Sequence, residues 1–160
     1  MKNIVTIFLL ACIGTSVLAQ NTTNFAHIGR IDRFEPEVNE LIPKDAKIEV
    51  LCGGFEWSEG PVWMPESGNK YGGFVLFSDI PNNVVMKWQE GVGASVYMKP
   101  AGYTGVADYG REPGSNGLAL DAKGRLVMCE HGDRRISVVT NGGGKITLAD
   151  HWQGKRLNSP

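Results

Sequence analysis

An all-β fold of the propeller type is predicted by three observations. Gly is abundant, at 21 of 160 residues, nearly double its usual share of about 7%. Short β-rich runs recur between turn residues, with few stretches of helical periodicity. The runs also repeat as sets of four with a period near 50 residues, the spacing of propeller blades. A hydrophobic fraction of 42% supports a packed core and excludes wholesale disorder. A net charge of −1 offers no basic excess for phosphates, so nucleic acid is not an expected partner.

Residues 1–19 read as a signal peptide. Lys2 gives a positive start, Ile4–Leu10 an apolar stretch broken by Thr6, and Val17-Leu18-Ala19 a cleavage site before Gln20. A spanning helix needs roughly 20 apolar residues, and Gly14, Thr15 and Ser16 interrupt the run. Leu9-Leu10-Ala11-Cys12 also has the form of a lipobox, which would make Cys12 a lipid anchor. Either route predicts export, to the periplasm or beyond the cell. Residues 20–47 are polar and irregular and read as an arm, with a turn of helix at Glu37–Leu41.

The first blade is expected over 48–99. Its runs are Ile48–Cys52, Gly60–Met64, Gly73–Ser78, Asn83–Trp88 and Ala94–Met98. After a loop at Pro100–Pro113, the second is expected over 114–150, with runs at Gly117–Asp121, Arg125–Glu130, Arg135–Val139 and Lys145–Leu148. Asp121-Ala122-Lys123-Gly124 and Asn141-Gly142-Gly143-Gly144 are hairpin turns. Phe74–Asp79 overlays Arg125–Glu130, and Asn83–Trp88 overlays Arg134–Val139, both at an offset of 51. Glu59–Trp63 overlays Asn116–Leu120 at an offset of 57. A sandwich or barrel is the competing architecture, but the register match over two hairpins favours blades. Residues 151–160 read as the start of a third blade, and with only two complete blades the chain is expected to be a fragment or a piece that must associate.

In a propeller the residues just before each innermost strand lie at the channel mouth. Glu59 and Asn116 hold that position. Oxygens from successive blades converge there, the donor set a hard divalent cation takes. Asn116 reads equally as an Asx turn residue before Gly117. Beyond the leader, Cys52 and Cys129 lack any Cys/His metal spacing, and a disulfide and two separate apolar thiols are both open readings.

Ser58-Glu59-Gly60-Pro61-Val62-Trp63, Phe77-Ser78-Asp79-Ile80 and Val84–Trp88 resemble the opening blade of the gluconolactonase/regucalcin family. Ser115–Asp121 through Cys129–Arg135 resembles its second blade in the bacterial gluconolactonase branch, and Gly154–Pro160 the beginning of its third. The resemblance implies a six-bladed propeller hydrolysing a sugar lactone, with a divalent cation, Ca2+ or another such as Zn2+ or Mg2+, polarising the lactone carbonyl. It implies that Glu59 is a metal ligand. Glu130 and His131 are then candidates for proton transfer, Asn116 and Tyr103 for substrate contact, and Asp108-Tyr109 for covering the site. Asp79 is expected to stabilise a turn, and Arg134-Arg135 to form a solvated hairpin. The isolated chain is expected to be inactive. The alternatives are an organophosphate or aryl-ester hydrolase on the same metal platform, and a non-catalytic ligand- or protein-binding propeller.

Overall fold

The computed structural model describes residues 24–160. The leader at 1–19 and Cys12 lie outside the described residues. Two four-stranded antiparallel sheets dominate. The first runs in the order β3 (Ser58–Pro65), β4 (Gly73–Asp79), β5 (Val84–Gln89), β6 (Gly93–Met98). The second runs β7 (Ser115–Leu120), β8 (Leu126–Glu130), β9 (Arg135–Val139), β10 (Lys145–Ala149). Each is a simple meander, so each strand pairs with the next in sequence. They are two blades of a β-propeller.

The arm is more ordered than its composition suggests. A short strand β1 (Ala26–Ile28) and a single helical turn α1 (Val38–Leu41) precede β2 (Ile48–Val50). Ile48–Cys52 was expected to open the first blade. Instead Ile48–Val50 pairs with Ala26–Ile28, and the first blade proper begins at Ser58. A strand's composition states that it will pair, and not with which edge. At the other end, β11 (His151–Trp152) and β12 (Lys155–Arg156) form a small hairpin.

The blades stack face to face, and the alternation along β4 and β8 shows how. In β4 the buried apolar residues are Phe74 and Leu76, with Ser78 beside them; in β8 they are Leu126 and Met128, with Glu130 beside them. At the offset of 51, Leu76 corresponds to Val127 and Phe77 to Met128. The buried phase thus differs by one residue, which in a strand means the opposite face. Blade 1 turns one face toward blade 2, and blade 2 answers with the other. Phe74, Leu76, Val85, Leu126, Met128 and Val139 form the core between them.

Equivalent turn residues close both blades. Asn83 and Arg134, 51 residues apart, each adopt a left-handed conformation, with φ of 55° and 56°. Cys52 and Cys129 are separate, half-buried thiols, and burial raises the pKa of both. Among the described residues no helix is long and apolar enough to cross a membrane.

Candidate functional site

The two innermost strands, β3 and β7, lie side by side at one end of the blades. Glu59 lies beside a bulge in β3, next to Gly60. Gly60 has φ of +56°, and a Cβ placed on it would overlap the Asn116 carbonyl oxygen. Only glycine lets β3 approach β7 this closely. A buried polar seam joins the strands there: Ser78 Oγ lies 2.9 Å from both the Asn116 carbonyl oxygen and Ser115 Oγ. Ser78 has one hydroxyl proton, so if it donates to the Asn116 carbonyl, Ser115 donates to Ser78. Glu59 and Asn116 therefore occupy neighbouring positions on adjacent inner strands, as the repeat implies.

A cleft of about 560 Å3 opens beside this junction, lined by Glu56, Trp57, Pro81, Gly110, Arg111 and Glu112. Asp79 builds one wall. One of its carboxylate oxygens accepts the backbone N–H groups of Glu56 and Trp57, each at 3.2 Å, and the other accepts Asn82 Nδ2 at 2.8 Å. Trp57 Nε1 donates to Glu59 Oε1 at 3.3 Å, so Glu59 steadies the indole that faces the cleft.

The opposite wall comes from the loop between the blades. Asn83 anchors its start: Oδ1 accepts the N–H groups of Ala101, Gly102 and Tyr103, while Nδ2 donates to the Tyr103 carbonyl. Asp133 holds Thr104 through its backbone N–H at 3.0 Å and its hydroxyl at 2.6 Å. The far end of the loop carries Glu112, whose Oε2 lies 3.4 Å from His131 Nδ1. His131 Nε2 lies 3.1 Å from Ser159 Oγ, and the Tyr109 ring packs edge-on against the imidazole. If Nδ1–H faces the Glu112 carboxylate, Nε2 accepts from Ser159, the tautomer that can take a proton.

The sequence candidates thus divide. Neither Glu59 nor His131 lines the cleft itself: Glu59 contacts its lining through Trp57 and His131 through Glu112. Tyr103 does not line the cleft. Its ring stacks on Tyr109 with centroids 4.9 Å apart, so it supports that ring from behind. Asn116 lies at the β3–β7 junction and contributes its carbonyl to the seam. Glu130, the other candidate for proton transfer, is fully buried at the end of β8. Its carboxylate receives Arg135 at 2.9 Å, Lys145 at 2.8 Å and the Ser137 hydroxyl. Those partners lie on β9 and β10, so the group ties a sheet together and does not face the cleft. Arg135, expected in a solvated hairpin, is drawn in by the same acid. Trp57, Glu112 and Ser159 were not singled out. Trp57 stands in a bend just before β3, where strand alternation does not reach, and Glu112 and Ser159 meet His131 only through loop closure.

Ca2+ takes 6–8 oxygen ligands. Among the described residues no group of three His, Cys, Asp or Glu side chains is placed to hold a metal. Glu59 contributes one carboxylate, partly engaged by Trp57. These residues alone do not fit a Ca2+, Zn2+ or Mg2+ site.

No family model matches the chain. Its sequence is 36% identical over 152 residues to a gluconolactonase of Zymomonas mobilis, covering 92% of this chain and 41% of that protein. Two solved structures share the fold. One, described as a gluconolactonase, has a TM-score of 0.62 at 34% identity over 79% of this chain and 39% of the other. A gluconolactonase from Xanthomonas campestris gives 0.61 at 28% identity over 87% and 39%.

Over most of its length the chain resembles gluconolactonases. It spans about two fifths of the length of these relatives. The expected likeness to gluconolactonases and the propeller architecture therefore hold, and the two stacked blades make up most of the described residues.

Proposed function

We propose that the protein acts in the hydrolysis of a sugar lactone, with the cleft between Trp57 and Glu112 as part of its substrate site. The observation that carries this reading is a cleft lined by the Trp57 indole and the Glu112 carboxylate, the latter 3.4 Å from His131 Nδ1, in a chain similar to a gluconolactonase. A lactone ring offers apolar C–H faces and a rim of hydroxyls. The Trp57 face suits the former, and Glu56, Arg111 and Glu112 suit the latter. Ester cleavage adds water to the acyl carbon. In this reading Ser159 gives up its hydrogen bond to His131 Nε2, which takes a proton from the water as its oxygen bonds to the acyl carbon; the acyl–oxygen bond of the lactone then breaks and the proton passes to the departing ring oxygen, while Glu112 holds the imidazole. Glu59 positions Trp57. Export through residues 1–19 places the substrate outside the cytoplasm.

The described residues supply one cleft and one carboxylate at the β3–β7 junction, so the 160-residue chain alone is expected to bind lactone weakly and turn it over slightly. Saturation-transfer NMR with gluconolactone tests binding, and acid release in a pH-stat tests turnover. In a protein carrying the complete site, His131→Ala should lower turnover by about 10²- to 10⁴-fold. Absence of both binding and acid release above the uncatalysed background in that protein would overturn the reading. Strong EDTA-sensitive turnover by the isolated chain would overturn the claim that it is insufficient by itself.

A further inference from the structure

We propose that a cationic cleft formed by the arm is a binding site for a phosphate group. It shares no lining residue with the cleft at Trp57 and does not rest on the lactonase reading.

A cleft of about 380 Å3 opens between β1 with the loop that follows it and the loop leading into β2. Every residue that lines it falls between His27 and Ile48, so the arm alone forms its walls and neither blade contributes. Five of the lining residues are basic: His27, Arg30, Arg33, Lys44 and Lys47. None of the lining residues is acidic. The segment does not lack acids, since Asp32, Glu35, Glu37, Glu40 and Asp45 outnumber its four Arg and Lys residues. The fold sorts them, with the bases on the cleft and the carboxylates off it.

These cations are unevenly paired. Arg30 Nε meets Asp32 Oδ1 at 2.8 Å, and His27 Nε2 lies 3.8 Å from Glu49 Oε1. The half-buried Arg33 has only neutral partners among the described residues. Its Nη1 donates to Asn39 Oδ1 at 3.1 Å and to the Ile42 carbonyl at 3.0 Å, and its Nη2 to the Pro43 carbonyl at 2.6 Å. Those acceptors hold the loop before β2, yet they leave the charge uncompensated and two guanidinium N–H groups free. Lys44 and Lys47, both exposed, have no ion-pair partner among the described residues. One uncompensated guanidinium and two ammoniums around one cleft favour an anion. Phosphate suits them better than a carboxylate. It carries about −1.5 to −2 at neutral pH, and its acceptor oxygens point in several directions, as donors from separate walls require. A free phosphate and the headgroup of a phospholipid monoester present this same chemistry.

Two assays on the 160-residue chain test this and separate the sources. Calorimetric titration with inorganic phosphate at constant ionic strength reads the free form. Cosedimentation with vesicles of phosphatidic acid in phosphatidylcholine, against phosphatidylcholine alone, reads the headgroup. Lys44→Ala/Lys47→Ala removes the two unpaired ammoniums at exposed positions and should melt as the parent does. Lys123→Ala/Lys155→Ala removes the same charge at exposed positions elsewhere and is the control. Saturable binding of phosphate, weakened at least about tenfold by the first pair and unchanged by the second, is the expected result. Retention on phosphatidic acid vesicles that only the first pair abolishes, without saturable binding of free phosphate, would support the site with the headgroup as its source. Binding in neither assay would overturn the proposal. So would binding that the first pair leaves intact, or that both pairs weaken equally, since general charge attraction would then account for it.

Discussion

Blade 1 and blade 2 share a register but put equivalent residues to different uses. Asp79 and Glu130 correspond. Asp79 reaches outward to two backbone N–H groups and fixes the loop carrying Trp57. Glu130 is one methylene longer and turns into its own sheet, gathering Arg135, Lys145 and Ser137. Gly60 and Gly117 also correspond: the first lies against a neighbouring backbone, the second near only the Cys129 side chain. Asn83 and Arg134 share a left-handed turn, yet Asn83 binds the outgoing loop with four hydrogen bonds and Arg134 Nε holds its own with one, to the Leu157 carbonyl. The fold needs the backbone positions. The side chains at them are free to serve either the cleft or the sheet.

The sharpest way to break this contrast is to neutralise both acids. Glu130→Gln leaves two partly buried cations facing an amide. It should cost about 3 kcal/mol, the low end for a broken buried pair because Arg135 keeps some solvent contact. Urea unfolding measures it. Asp79→Asn keeps an acceptor for Glu56 and Trp57 and should cost about 1 kcal/mol, its effect showing mainly in lactone binding at the cleft. If the two substitutions cost the same, the division of roles is wrong.

Gly60→Ala against Gly117→Ala sharpens it next. At Gly60 the new methyl meets backbone at positive φ, which should cost about 3 kcal/mol from overpacking and left-handed strain together. At Gly117 the nearest atom is Cys129 Sγ at 3.6 Å, an ordinary contact. There the change should be near neutral by the same unfolding measurement.

The turns come third. Asn83→Ala removes the loop's hydrogen bonds and places a Cβ-bearing residue without a local partner at positive φ, for about 2 kcal/mol. Asn83→Gly relieves the backbone but not the lost bonds, so it should recover only part of that. Arg134→Gly should be close to neutral, since relief at φ offsets one bond. Thermal unfolding of the three variants separates backbone strain from loop anchoring.

What the sequence made legible follows from what repeats. The offsets of 51 and 57 located both inner strands and the equivalence of Asp79 with Glu130, because strand spacing within a blade is fixed by pairing. The fate of Glu130 was not legible. Its cations come from β9 and β10, and only the pairing register shows that Glu130, Arg135 and Lys145 share a face. His131 was legible as a candidate, but its partners Glu112 and Ser159 sit on loops 19 and 28 residues away, where no periodicity applies. The β1–β2 pairing was hidden because Ile48–Val50 carries the same β-forming composition as a blade strand.

The smallest expected effect concerns the connection between β7 and β8, which in blade 1 is a longer turn. There Asn69 and backbone bonds of Glu66 and Gly72 shape the turn. In blade 2 one carboxylate does so: Asp121 accepts the backbone N–H groups of Arg125 and Lys123 and the Arg125 guanidinium. The Arg125 backbone N–H is the largest of the influences holding the Asp121 carboxyl below its ordinary value, and the Arg125 side chain adds to it. A depressed carboxyl favours the folded state above the unfolded-state pKa, and that contribution fades as pH falls through the lowered one. Melting temperatures of the parent and Asp121→Asn should therefore differ slightly at neutral pH and converge in acid, with little change in the turn of blade 1. Because the site is only partly buried, added salt should narrow the neutral-pH difference. A difference that persists in acid would mean that the amide fails to fill the turn's geometry, and that charge is not what Asp121 supplies.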